Sequence, residues 1–138
     1  MKIPSGYTIR FPREGGPPGE HGSIAFNGRY WKMFNKVDAK ARAQLEAAMR
    51  TWCRFGPLDM PDSKFKFEGR HRKGGKNIRI DTFKGWQVRF YGTTVEVKGK
   101  AMFLITEADL AKKQNAADET KLQHAAEVAA KLIQKAEK

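Results

Sequence analysis

KFKFEGRHRKGGKNIRIDTFKGWQVRFYGTTVEVKGKAMFLIT, residues 64–106, decides the fold of this chain. Apolar and polar residues alternate through it in short runs. Lys64-Phe65-Lys66-Phe67 alternates strictly, and Ile78-Arg79-Ile80-Asp81-Thr82 sets Ile78 and Ile80 inward with Arg79 and Asp81 outward. Trp86-Gln87-Val88-Arg89-Phe90-Tyr91 places Trp86, Val88 and Phe90 on one face and Gln87, Arg89 and Tyr91 on the other. Thr94–Val97 and Ala101–Ile105 add two more apolar runs. Turns at Lys73–Lys76, Lys84-Gly85 and Lys98-Gly99 would join these runs into an antiparallel meander. The two-residue period matters for chemistry, because it gives Arg89 and Tyr91 a shared face.

Charge concentrates in the same region. Lys64–Lys113 holds thirteen Lys/Arg against five acids, which accounts for +8 of the formal +12 of the chain. Like charge gathered so densely implies a negative partner: phosphodiester backbone, an anionic membrane surface or an acidic protein. At 138 residues, 40% hydrophobic and 30% charged, the chain fits one globular domain with a modest core. No apolar run is long enough to span a bilayer, and Pro4, Arg10 and Pro12 interrupt the start of the chain, so neither a membrane span nor a signal peptide is expected. Cys53 is the single cysteine and no Cys/His set has zinc spacing; it reads as a core hydrophobe, the alternative being a catalytic thiol, and the chain reads as cytoplasmic.

Outward from the meander, the period changes. Val37, Ala41, Leu45, Ala48/Met49, Trp52 and Phe55 fall three or four apart and predict a helix over about 37–55, with Asn35 and Asp38 as its cap and Gly56-Pro57 as its stop. Its polar side carries Arg42, Arg50 and Arg54, either a solvated face or a contributor to binding. Thr106-x-x-Asp109 has the form of a capping box, and a last helix capped by Asn115 or Asp118 is expected over about 117–134, with Leu122, Ala126, Ala129 and Leu132/Ile133 as its apolar side. Trp52 and Trp86 read as core. Residues 1–28 hold six of the thirteen glycines and four of the six prolines, clustered in GGPPGEHG (15–22). Residues 1–30 therefore read as a Gly/Pro-rich arm and 31–138 as the domain, although Tyr7–Phe11 has the form of an edge strand. Ser23–Phe34 is β-like in composition without deciding between a strand and irregular packing.

The order of these pieces resembles the RelE/HigB superfamily of toxins, in its phage-derived HigB-like branch. The likeness rests on Phe67-Glu68-Gly69, Asn77-Ile78-Arg79-Ile80, Trp86-Gln87-Val88-Arg89-Phe90-Tyr91, Met102-Phe103-Leu104-Ile105, and Lys112-Lys113-Gln114 followed by Leu122 and Ala125. It covers roughly residues 36–133. The chain departs from the branch in having Asn77-Ile78 before the strand arginine, and in a longer link, Thr106–Ala111, ahead of the paired lysines.

The resemblance implies a small α+β, RelE-like domain with its two helices packed on an antiparallel-rich sheet. It implies the toxin of a type II toxin–antitoxin pair, a ribosome-dependent mRNA endoribonuclease that meets mRNA and ribosomal RNA in the A site. A small antitoxin, often of helix-turn-helix type, would neutralise it. The implied reaction uses no cofactor or metal: the ribose 2′-hydroxyl attacks the adjacent phosphate, leaving a 2′,3′-cyclic phosphate and a free 5′-hydroxyl. Such a step needs a base, a cation for the phosphorane and an acid for the leaving oxygen.

Arg89 is the first choice for the phosphate and Arg79 the second; the alternative for each is a surface arginine paired with Asp81. Tyr91 either stacks on a base or donates a proton, or is a half-buried structural tyrosine. His71 is the histidine best placed for acid–base work, the alternative being a loop residue without a role. Lys112 and Lys113 are ribosomal-RNA anchors or catalytic cations. Arg70, Arg72, Lys73 and Lys76, with Lys66, form a clamp on RNA backbone or a solvated turn. His21 and His124 receive no role. Two other readings stay open: a non-catalytic RNA- or DNA-binding module on the same fold, and a basic subunit that meets an acidic protein.

Overall fold

The computed structural model describes residues 1–110 and 118–136. It is an α+β fold of three helices and a six-stranded mixed sheet. In chain order the elements are β1 (Tyr7–Phe11), β2 (Gly22–Asn27), α1 (Gly28–Lys36), α2 (Ala39–Phe55), β3 (Phe65–Lys73), β4 (Lys76–Gly85), β5 (Val88–Val97), β6 (Lys100–Asp109) and α3 (Glu119–Ala136). The sheet order is β1-β2-β6-β5-β4-β3, antiparallel throughout except that β2 runs parallel to β6.

The meander is β3 to β6, and two of its turns follow from local chemistry. Gly74-Gly75 and Lys98-Gly99 have positive φ at both positions, as a tight mirror-image hairpin turn requires. The middle turn differs from the expected Lys84-Gly85. β4 runs on to Gly85, and the loop is Trp86-Gln87. Trp86 takes the positive-φ position itself (φ 54), which its backbone N–H supports by donating to Gln44 Oε1 at 2.9 Å. The indole is therefore 65% exposed rather than in the core, with the Lys40 ammonium over its ring.

Asp38 caps α2 by accepting from the N–H groups of Lys40 and Ala41, and Gly56 ends it at φ 81. Asn35 takes no part in that cap; it lies within α1, donating to the Trp31 carbonyl. Ala41, Leu45, Ala48, Met49 and Trp52 turn inward, whereas Phe55, at the end of the stripe, is exposed. On this side of the sheet α1 and α2 bury Phe11, Phe26, Phe34, Phe83, Phe90 and Phe103 among them. Edge-to-face ring pairs such as Trp52–Phe103 and Phe34–Phe90 each contribute about 0.5–1.5 kcal/mol beyond their burial. The other side is covered by α3, whose alanines Ala125, Ala126 and Ala129 pack on Ile78, Ile80 and Tyr91. Small side chains let that helix lie close to the strands. Asp118 caps it through the N–H of Thr120 at 2.8 Å; Asn115 lies outside the described residues.

Residues 1–30 contribute two strands to the common sheet, and Ile24, Phe26 and Phe11 are fully buried in it. A boundary at residue 30 passes through α1. Thr106–Asp109 continues β6 and forms no helical turn.

Two outcomes test this packing. Burial pushes the Cys53 thiol up to about 12, so a disulfide reagent at mildly alkaline pH should leave the folded protein unlabelled and react at once in denaturant. A Cβ at Gly92 would be driven into the Leu104 carbonyl and the Phe103 ring, so Gly92→Ala should cost on the order of 3 kcal/mol in chemical denaturation.

Candidate functional site

Two rows of polar side chains cross the strands on the α3 side of the sheet. Backbone register sets Lys66 beside Thr82, Thr82 beside Tyr91 and Tyr91 beside Glu107. One step along, Lys84 lies beside Arg89, and Arg89 beside Asp109. Of the residues singled out on sequence, this brings together Arg89, Tyr91 and Lys66. It adds Lys84, Glu107, Glu68 and, from α3, His124.

Glu107 reaches this face through a bulge. Ile105 pairs with Gly92 and Glu107 with Tyr91, leaving Thr106 as an extra residue that reverses the alternation. Its carboxylate is nearly buried and fully engaged: Oε1 accepts from the Ala108 N–H at 2.9 Å and lies 4.0 Å from Lys121 Nζ, while Oε2 is in direct contact with His124 Nδ1. His124 is itself partly exposed, so a carboxylate fixes one side of an imidazole whose ring still meets solvent.

Beside this pair the floor is buried and polar. Arg89 is 7% exposed and Tyr91 fully covered. Burial raises Tyr91 well above the usual phenol range, and the charges of Arg89, Asp109, Glu68 and Asp118 all reach it. The phenol therefore stays protonated at neutral pH. Its hydroxyl, Thr82 Oγ1 and Glu68 Oε2 are buried with no hydrogen-bond partner among the described residues, which marks the floor as polar beyond the needs of packing. Lys84 is shifted the other way. Partial burial, then the cations of Arg89 and Lys66, lower its ammonium, with Glu68 and Asp62 opposing. These are the two conditions that favour a lysine as a base, met at Lys84.

Other predicted residues lie elsewhere. Arg79, Arg70 and Arg72 are on the opposite face of the sheet, where Asp81, itself buried rather than outward, accepts from Arg79 Nε at 3.1 Å and Nη2 at 3.2 Å. The partner proposed for Arg89 thus belongs to Arg79. His71 is on the α3 side, bonded to the Glu68 carbonyl and to Gln123, and Lys73 lies 3.6 Å from Glu127 of the same helix. Lys76 ends the hairpin. Lys112 and Lys113 lie outside the described residues. A cavity of about 490 Å³ along the outer side of α2, lined by Gln44, Ala47, Thr51, Phe55, Met60 and Lys64 among others, contains none of these groups.

Lys84 was within reach of the sequence: a two-residue loop at Trp86-Gln87 puts it directly opposite Arg89. Glu107 was not, because strict alternation from Phe103 and Ile105 assigns it to the other face. Among the described residues no group of three or more His, Cys, Asp or Glu side chains has a metal-binding arrangement, and no helix is long and apolar enough to cross a membrane. Compared with known proteins, the chain matches no family model, no curated protein and no solved structure.

Proposed function

We propose that the protein is an endoribonuclease, the toxin of a toxin–antitoxin pair, cutting messenger RNA by attack of a ribose 2′-hydroxyl on its own phosphate. One observation carries the reading: Arg89, Lys84 and Lys66 share a sheet face with a histidine fixed by a buried carboxylate. In this scheme Arg89 and Lys66 hold the charge of the phosphorane. Lys84, its ammonium destabilised, and His124, oriented by Glu107, are the two proton-transfer groups. The 2′-oxygen forms its bond to phosphorus as its proton leaves, and the P–O5′ bond breaks as the 5′-oxygen is protonated. Tyr91, buried and protonated, serves as a donor from the floor. The earlier candidates Arg79 and His71 fall outside this set. Ribosomal RNA as the docking surface and a small neutralising antitoxin belong to the same proposal.

A second reading, a non-catalytic RNA-binding module, draws support from the depth of Arg89 and Tyr91 and from the exposed cations on the opposite face. Cleavage separates the two. Induced expression in a bacterial host should arrest growth, and primer extension should find new 5′ ends within translated codons. Arg89→Ala should lower cleavage about 100- to 1,000-fold. His124→Ala should lower it by a factor on the order of 100 to 10,000. Both variants should retain cooperative unfolding. Intact messengers beside soluble, folded wild-type protein would leave the binding module standing instead.

A further inference from the structure

Among the described residues, no helix covers the outer part of the β3–β4 hairpin on the face turned away from α3. α2 covers β4 only toward Phe83 and Gly85, and the strands beyond it are open. What lies there is set by a second bulge. Phe67 pairs with Asp81 and Arg70 with Arg79, so β3 has one residue more than β4 over this interval, and Gly69 takes a positive φ of 102 within it. Strict alternation would group Phe67 with His71 and send Arg70 and Arg72 to the other side. The bulge reverses this. Arg70 and Arg72 join Phe67 and Arg79 on the open face, and His71 and Lys73 turn under α3.

The result is a layered, preset arrangement. Asp81, buried at the base, fixes the Arg79 guanidinium through two of its nitrogens. That guanidinium lies 4.5 Å from the Phe67 ring centroid. Phe67 is nevertheless 47% exposed, an aromatic surface left open beside Arg79 on a cationic hairpin. Arg70 and Arg72 are exposed on the same face, two residues apart, both toward the hairpin tip from Phe67. A large apolar ring in so cationic a setting fits a ligand that is flat, unsaturated and polyanionic at once.

We infer that this face is a platform for single-stranded RNA: one base stacks on Phe67 and the Arg79 plane, and Arg70 and Arg72 take phosphates of the strand as it runs toward the hairpin tip. Duplex RNA has its bases already stacked and offers no free ring to Phe67, so the platform selects single strands. The inference shares with the proposed function only the expectation that RNA is the ligand. It places binding on the sheet face opposite to Arg89, and narrows the basic hairpin to Arg70, Arg72 and Arg79, leaving out Lys66 and Lys73.

The test uses the full chain and a short fluorescent oligouridylate carrying 2′-O-methyl groups, which the proposed cleavage cannot cut. Anisotropy then reports binding whether or not the protein is a nuclease. Phe67→Ala should weaken binding about ten- to hundredfold with an unchanged salt slope, and Phe67→Trp should restore it. Arg70→Gln and Arg72→Gln should each flatten the slope of log K against log salt by about 0.7. Equal affinity for Phe67→Ala and wild type would overturn the proposal. So would binding of duplex as tight as single strand, or displacement by polyglutamate as effective as displacement by unlabelled oligonucleotide, which would point to an acidic protein partner instead.

Discussion

One extra residue in β6 sets the chemistry of the α3 face. β6 is one of the two central strands, paired with β2 on one side and β5 on the other, and Met102 through Ala108 are buried without a break. A strand so enclosed has no freedom to turn a side chain outward, because both faces are packed. Only the bulge at Thr106 changes which face a residue meets. Up to it, Met102 and Leu104 face α3 and Phe103 and Ile105 face α2; beyond it, Glu107 faces α3 and Ala108 returns to the α2 core. A carboxylate among Phe103, Phe90 and Phe34 would be a buried charge in an aromatic core, costly unless paired. Turned to α3, it finds the Ala108 N–H, Lys121 and His124.

The bulge in β3 divides the positive charge in the same way. Without it Arg70 and Arg72 would crowd the face that already bears Lys66, Lys84 and Arg89. With it, two groups of cations stand on opposite sides of a single sheet, and mutual repulsion is eased by the layer between them. The acids follow the division: Glu68, Glu107 and Asp109 lie with the first group and Asp81 with the second. Asp81 shows the limit of that relief. Burial raises its carboxyl in spite of Arg79 and Arg70, so the arginines offset only part of the cost of burying it.

The meander and the α2 stripe were legible because each obeys one period, two or near 3.6, and because Gly56, Gly74-Gly75 and Lys98-Gly99 announce their conformations. Other features depend on distant chain. β2 is a strand because β6 accepts it in parallel, a partner about 80 residues away that no local pattern names. Asn27 then caps α1 through the Tyr30 N–H, converting a β-like stretch into a helix at Gly28. Trp86 has the residue type of a core position but sits where the hairpin must reverse, and backbone geometry overrides hydrophobicity there. The site was half legible for a related reason. Alternation gave Arg89 and Tyr91 their common face, whereas Glu107, Arg70 and Arg72 took their faces from bulges, which alternation does not announce.

The depth of Arg89 has a consequence for how a phosphate would meet it. Its residue surface is almost wholly covered, yet Lys66, Lys121 and His124 at the margin are each substantially exposed. A polyanion arriving from solvent meets those side chains first, and the guanidinium lies behind them. Displaced water would leave the phosphate in a region of low dielectric, where each cation counts for more than it does at a surface. The same depth would make the open face across the sheet useful to the proposed nuclease. A recessed site with a narrow margin gains little affinity from area, and a separate stacking platform on the hairpin would hold the strand while a single phosphate is brought to Arg89. Binding and cleavage would then be carried by two faces of one sheet, each shaped by its own single-residue bulge.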